Sequence, residues 1–278
     1  MSSAARRDRV GKERVMVNVL PWTVLVLLAA EAPAVAPVTG LPLRGEAAVA
    51  FLNGAEVVGK PEGFDPVAIT EPVRVTLSDG ERTLRAIFKD EDTLYPRFRF
   101  GDGREADKVH DSYKHEIAAY ELDRMLALDL VPACVERILF SRRGALCLWV
   151  ENAMTEADRR ERELEPPDPK PWDERMALVR AYQQLIADQD YSNIRNVLVD
   201  ADFRIYKVDS SMAFPADRRL LDEDRLTRFP ESLLEALRGL DRAEVADRLD
   251  PWLAKPEIKA LWERRDRILE LARERAAE

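Results

Sequence analysis

Asp190, Asn193, Asn196 and Asp209 are the residues of this 278-residue chain whose types and spacing could do chemistry, and all four fall within residues 185–214, LIADQDYSNIRNVLVDADFRIYKVDSSMAF. Asp190 is followed by two amides and a short apolar strand at 197–199. The acidic run DAD turns the chain at 200–202, and a second strand at 203–208 delivers Asp209. One carboxylate can accept or orient a proton, while an amide oxygen and a second carboxylate hold Mg²⁺ against phosphates. A hairpin is the support that fixes such groups relative to one another. Asp and Asn also form turns and caps, and DAD reads as a hairpin turn and nothing more. Asp209 is different, because an acid set between Val208 and the apolar residues 212–214 would be costly to bury without a partner.

The elements upstream supply the rest of such a site. Residues 73–90, VRVTLSDGERTLRAIFKD, alternate apolar side chains around an Asp-Gly turn, which predicts two antiparallel strands with Lys89 closing the second. A lysine there can reach phosphate, although most lysines at strand ends are simply solvated. Residues 111–127 predict a helix with Ser112 as N-cap and an apolar stripe at Ile117, Tyr120, Leu122, Met125 and Leu126. Glu116 lies at the edge of that stripe, suited to pair with a strand lysine, and His115 and Lys114 beside it read as ordinary surface positions. Residues 131–151 predict two strands flanking the turn SRRG, the second running through Leu148, Trp149 and Val150 into Glu151 and a polar linker.

Strand lysine, helix glutamate, hairpin, linker, helix, acid-amide loop and acid hairpin occur here in one order. In that order, and in its motifs, the chain resembles the atypical protein-kinase-like fold of bacterial proteins related to HipA, of phosphoinositide kinases and of secretory-pathway kinases. It is most similar to a group of bacterial proteins with a pattern like N-T-D-R-N-x-G-N-I-L followed by I-D-H-S-R-A-F. The likeness runs over about residues 47–275, through TEPVRVTLSDGERTLRAIFKD, HEIAAYELDRMLALDLVPACVERI, LWVENAMTE, the catalytic segment and RFPESLLEALRGL. It implies an α+β, two-lobed fold, with a small antiparallel β N-lobe carrying one helix at 45–151 and a larger, mostly helical C-lobe at 152–278. It further implies ATP and Mg²⁺ as cofactors, with Lys89 on phosphate, Glu116 pairing with it, and Asp190 as catalytic acid/base. Asn196 and Asp209 would be the metal ligands, and the backbone near Trp149, Val150 and Glu151 would meet adenine.

Departures from the pattern shape the functional expectation. Tyr191 stands where the relatives place an arginine, and Ser210 and Met212 replace a histidine and an arginine. Asp190 to Asn196 is one residue longer than the usual step, which Asp188 to Asn193 would satisfy. Asp190 with Asn196 is preferred because NVLVD then continues correctly into the strand. No glycine-rich phosphate loop is visible, and GDGREAD at 101–107 reads as a charged loop. The expectation is an ATP- and Mg²⁺-dependent phosphotransferase acting on an unknown protein or small-molecule acceptor. The alternatives are a pseudokinase-type binding or scaffold module, and nucleotidyl transfer to a protein hydroxyl.

Composition, 46% hydrophobic and 34% charged, is that of a globular chain, and the net charge of −9 argues against nucleic acid as a partner. Residues 157–175, rich in charge and proline, read as a solvated connection between lobes, and residues 257–274 as a helix with one packed face. Residues 1–37 form a basic plus apolar leader, which predicts an exported, periplasmic or membrane-anchored protein, with a cytoplasmic one as the alternative. Any membrane association would run through that leader. With the turn centred on Arg142 and Arg143, Cys134 would face Glu151 and Cys147 would face Ile138, so no bridge between the two cysteines is expected. His110 and His115 give no metal cluster with either cysteine, so no zinc site is expected.

Overall fold

Val73, Val75 and Leu77 are buried on one side of a strand whose intervening Arg74 is exposed, and this period-two pattern sets the fold of the N-terminal half. The computed structural model describes residues 39–62 and 72–277, so the leader expected at 1–37 lies outside the described residues. Helix α1 (Gly45–Gly54) precedes strands β1 (Glu56–Glu62), β2 (Val73–Ser78), β3 (Thr83–Lys89), β4 (Asp92–Arg99) and β5 (Glu105–Ser112). Helix α2 (Tyr113–Leu126) leads into β6 (Cys134–Leu139) and β7 (Arg142–Leu148). Strand β8 (Met154–Thr155), helices α3 (Glu156–Glu161) and α4 (Pro169–Leu185), and strands β9 (Val197–Val199) and β10 (Ile205–Lys207) follow. Helices α5 (Glu231–Gly239), α6 (Arg242–Leu249) and α7 (Lys255–Ala276) complete the chain. Antiparallel β1-β2-β3-β7-β6 form one sheet, β10-β9-β8 a second, and β4-β5 a separate hairpin. The described chain is thus α+β, with its sheet in the N-terminal half and most of its helices in the C-terminal half.

The β6–β7 hairpin corrects the expectation for the cysteines. Its turn is Phe140 and Ser141, both at positive φ (53° and 63°), as a two-residue hairpin turn requires. Leu139 therefore pairs with Arg142, and Cys134 falls directly opposite Cys147, to which it is disulfide-bonded. The amide of Leu148 donates to the Ala133 carbonyl, so the cysteines occupy the adjacent, non-hydrogen-bonded position, where side chains come closest. Gly144 misplaced the turn in the sequence reading. Its real service is to the sheet, since a Cβ there would strike the Lys89 carbonyl and the Phe88 ring.

The charged stretch at 157–175 is also more ordered than expected. Thr155 caps α3 through the Asp158 amide, and Glu156, 1% exposed, is held by Arg159 and Arg160, each at 2.6 Å. Only its middle, residues 162–168, runs as a mostly exposed connection.

Two residues of this scaffold give direct tests. Gly40 exchanges both backbone hydrogen bonds with Glu151, each 2.8 Å, at φ +71°, and a Cβ would sit 2.5 Å from Asp200 Oδ2 and 2.6 Å from Tyr206 Oη. Gly40→Ala is expected to cost about 2–4 kcal/mol in urea unfolding, and a change under about 0.5 kcal/mol would contradict this account. Asp123 on α2 is buried, accepts from the Leu130 amide at 3.1 Å, and has its pKa pushed up by burial to about 7 from 3.8. The folded state then keeps a proton that the unfolded chain releases, so this contribution to stability is full below pH 3.8 and lost as pH rises through 7. Asp123→Asn keeps the acceptor and removes the titration. Its stability relative to wild type should rise by up to about 4 kcal/mol between pH 4 and pH 8, and a pH-independent difference would refute the assignment.

Candidate functional site

Lys89 ends β3 with its ammonium between two carboxylates, Glu116 of α2 and Asp209, 2.8 Å from Asp209 Oδ1. Burial works against the charged lysine, but Asp209 and Glu116 outweigh it and raise the pKa. Asp209 is held low in turn, chiefly by the Lys89 charge. Its backbone is strained, at φ +58°.

The start of α2 is tied to the segment after Asp209 by three bonds. The Ser112 amide donates to the Ser211 carbonyl at 2.9 Å, His115 Nδ1 lies 2.7 Å from that same oxygen, and Glu116 Oε2 accepts from the Ser210 amide at 3.0 Å. His115, expected to be an ordinary surface residue, is 2% exposed, and burial lowers its pKa to about 4. The backbone of Ser210 and Ser211 thus ties the start of α2 to this segment.

Asp190 follows α4 and accepts from both amides, Asn193 Nδ2 at 2.9 Å and Asn196 Nδ2 at 3.0 Å. Its pKa is raised, first by burial and further by the charges of Asp188 and Asp209. The two candidate pairs differ in where their side chains lie. Asp188 points inward, fully buried against Lys207 at 3.0 Å, and caps the Asp190 amide from below at 3.1 Å. Asn193 caps the 3₁₀ turn at Ile194–Asn196 through the Arg195 amide. Asp190 and Asn196 face the cavity, and Asp188 with Asn193 frame them.

Two cavities meet at these residues. One, about 320 Å³, is polar and lined by Lys89, Asp190, Asn196, Asp209, Asp111 and Ser211, with Tyr95 and Phe98 of β4 above. The other, about 260 Å³, shares Lys89, Asn196 and Asp209 and is otherwise mostly apolar, with Ile87, Leu148, Trp149, Val150 and Leu198 in its walls. Trp149 and Val150 are therefore where the sequence reading expects them, whereas Glu151 is not in the lining. Its backbone bonds Gly40 and its carboxylate pairs with Arg85.

Sequence reading missed the hairpin β4–β5. GDGREAD is its tip, and it reaches the Asp190 loop. Arg104 donates to the Gln189 carbonyl at 3.0 Å and to Ser192 Oγ at 3.1 Å. Its guanidinium lies over the Tyr191 ring, 4.3 Å from the centroid, while Asp102 accepts from Ser192 Oγ at 2.6 Å. A distant arginine thus brings a cation to the loop beside Tyr191. Glycines and a lone arginine in a charged run carry no signal of that contact.

A sheet-borne lysine paired to a helix glutamate, above an acid-amide loop and a second acid, is the order that protein kinases use. The chain aligns with the crystal structure of a Helicobacter pylori proinflammatory kinase, CtkA, at a TM-score of 0.52, covering 81% of this chain and 97% of that one at 14% identity. The fold is kinase-like. No family model and no curated protein matches the chain.

Proposed function

We propose that the chain is an ATP- and Mg²⁺-dependent phosphotransferase, and the observation that carries this reading is the convergence of Lys89, Asp190, Asn196 and Asp209 on one polar cavity joined to an apolar one. The apolar cavity suits a nucleobase, and the polar one suits its phosphates. Lys89, held by Glu116, presents a fixed cation to phosphate. Asn196 turns its NH₂ to Asp190, its Oδ1 accepts only a long bond from Asn193 Nδ2 at 3.4 Å and keeps a lone pair as a hard oxygen donor, and Asp209 supplies carboxylate oxygens from the same cavity wall. That donor set fits Mg²⁺. When bound, the ion would neutralise charge on the phosphates. Asp190, with its raised pKa and two amides fixing its orientation, is placed to accept a proton from an acceptor hydroxyl.

A nucleotide-binding module without turnover is the second reading. It is favoured by Tyr191 in the Asp190 loop, an aromatic ring set between Arg104 and Arg225. Calorimetry of ATP binding to the full chain, with and without Mg²⁺, tests the shared premise. Tight binding that needs Mg²⁺ and weakens at least about tenfold in Asp209→Ala is expected. Absence of binding at millimolar ATP would defeat both readings. Binding without any Mg²⁺-dependent release of phosphate, from ATP alone or from mixtures with candidate acceptors, would favour the second.

A further inference from the structure

A second group of donor side chains converges outside these cavities. His110 on β5, His115 in the first turn of α2 and Glu257 in the first turn of α7 come from three separate elements, and one donor atom of each lies within 4.8 Å of the others. The two imidazole rings meet edge to face, with centroids 5.0 Å apart.

The hydrogen bonds of the two rings matter more than their proximity. His115 Nδ1 is 2.7 Å from the Ser211 carbonyl, which can only accept, so Nδ1 carries the proton and Nε2 keeps its lone pair. His110 Nε2 is 2.7 Å from Asp92 Oδ1, which fixes the opposite tautomer and leaves Nδ1 as the free donor. One ring is thus oriented by a backbone carbonyl and the other by a carboxylate, the two arrangements that most often stand behind metal-bound histidines. Asp92 is itself balanced by Lys114 at 2.8 Å. Glu257 gives Oε2 to the Ala254 amide at 2.7 Å and retains its other oxygen.

We propose that His110, His115 and Glu257 form a Zn²⁺ site, separate from the nucleotide cavity, that pins hairpin β4–β5 and the start of α2 to α7. Two imidazole nitrogens and one carboxylate oxygen make three of the four donors that Zn²⁺ takes, and water completes the set. Bond lengths near 2.0–2.2 Å place tetrahedral donors about 3.3–3.5 Å apart, so the side chains close in by about 1 Å. His110 and Glu257 are both partly exposed and have room to move. His115 is buried and serves as the fixed member. Glu116 is the next residue on α2, so a cation here also steadies the partner of Lys89.

The test is Zn²⁺ binding to the full chain with its disulfide oxidised and no nucleotide present, read by competition with a chromophoric chelator and by thermal melting. One equivalent of Zn²⁺ should bind and raise Tm. His110→Gln should weaken binding by about 100-fold, and Glu257→Gln by at least about tenfold. Asp209→Asn should bind Zn²⁺ like wild type. His110 is used because its side chain is partly exposed, so the variant should fold, whereas a change at buried His115 risks unfolding the chain. No saturable binding, binding that His110→Gln and Glu257→Gln leave unchanged, or binding that Asp209→Asn abolishes would each overturn the proposal. None of these outcomes depends on whether the chain turns over ATP.

Discussion

Asp190→Asn is expected to lower Mg²⁺-dependent release of phosphate from ATP by about 10²–10⁴-fold while leaving ATP affinity within about threefold of wild type. The side chain accepts from Asn193 and Asn196 through Oδ2, and an asparagine can present its own carbonyl oxygen to the same two amides. The loop therefore keeps its geometry, the Lys89 and Asp209 positions are untouched, and only proton acceptance is removed. Burial and the neighbouring charges of Asp188 and Asp209 raise the Asp190 pKa, which brings a carboxylate nearer the strength a base needs at neutral pH. Steady-state turnover and calorimetric affinity measured on the same preparations decide the matter. Turnover within tenfold of wild type would remove Asp190 from the reaction, and loss of affinity in step with turnover would make it a structural residue.

What the sequence could reveal of this site follows a physical divide. Lys89, Glu116, Asp190, Asn196 and Asp209 were legible because strand ends, helix caps and hairpins set their spacing, and those devices are local. Trp149 and Val150 were legible for the same reason, as the end of an apolar strand. Glu151 was not, since the residue that consumes its backbone, Gly40, is more than a hundred positions away and leaves no periodic trace. The disulfide was hidden by a two-residue turn without glycine, Phe140-Ser141, while the glycine that suggested a later turn serves a close approach to β3. Asp188 and Asn193 carried the usual spacing yet are not in the cavity lining, because Asp188 is paired with Lys207 and Asn193 bonds Asp190 and caps the 3₁₀ turn. Arg104 was illegible in kind. Its role exists only once a β hairpin folds across to a loop some ninety residues later, and nothing in GDGREAD distinguishes that arginine from a solvated one.

Long-range contacts also gather around Tyr191, Ser210 and Met212. Arg104 and Arg225 both lie over the Tyr191 ring, at 4.3 and 4.8 Å from its centroid, so the loop retains positive charge from outside itself. Ser210 gives its backbone amide to Glu116, and Met212 gives its carbonyl to the Gln189 amide at 3.2 Å.

Lys207→Met is expected to destabilise the fold by about 3–5 kcal/mol, the largest loss from any single change beneath the site. Lys207 and Asp188 are both fully buried, 3.0 Å apart, and the lysine also donates to the carbonyls of Val208 at 2.6 Å and Asp209 at 2.9 Å. Removing the ammonium leaves an uncompensated carboxylate in the interior and two carbonyls without their donor, which is why breaking such a pair costs more than the pair itself contributes. Asp188→Asn combined with Lys207→Met removes the orphaned charge while keeping an acceptor for the Asp190 amide. The double variant should therefore be more stable than Lys207→Met alone, by about 1–3 kcal/mol of coupling in urea unfolding. A single variant costing under about 1 kcal/mol, or a cycle without coupling, would refute the account. The effect should reach function as well. Asp209 holds a positive φ with its carbonyl tied to Lys207, so the double variant, though refolded, should still bind Mg²⁺-ATP more weakly than wild type, because the strained backbone that aims Asp209 at the cavity has lost the bond that fixes it.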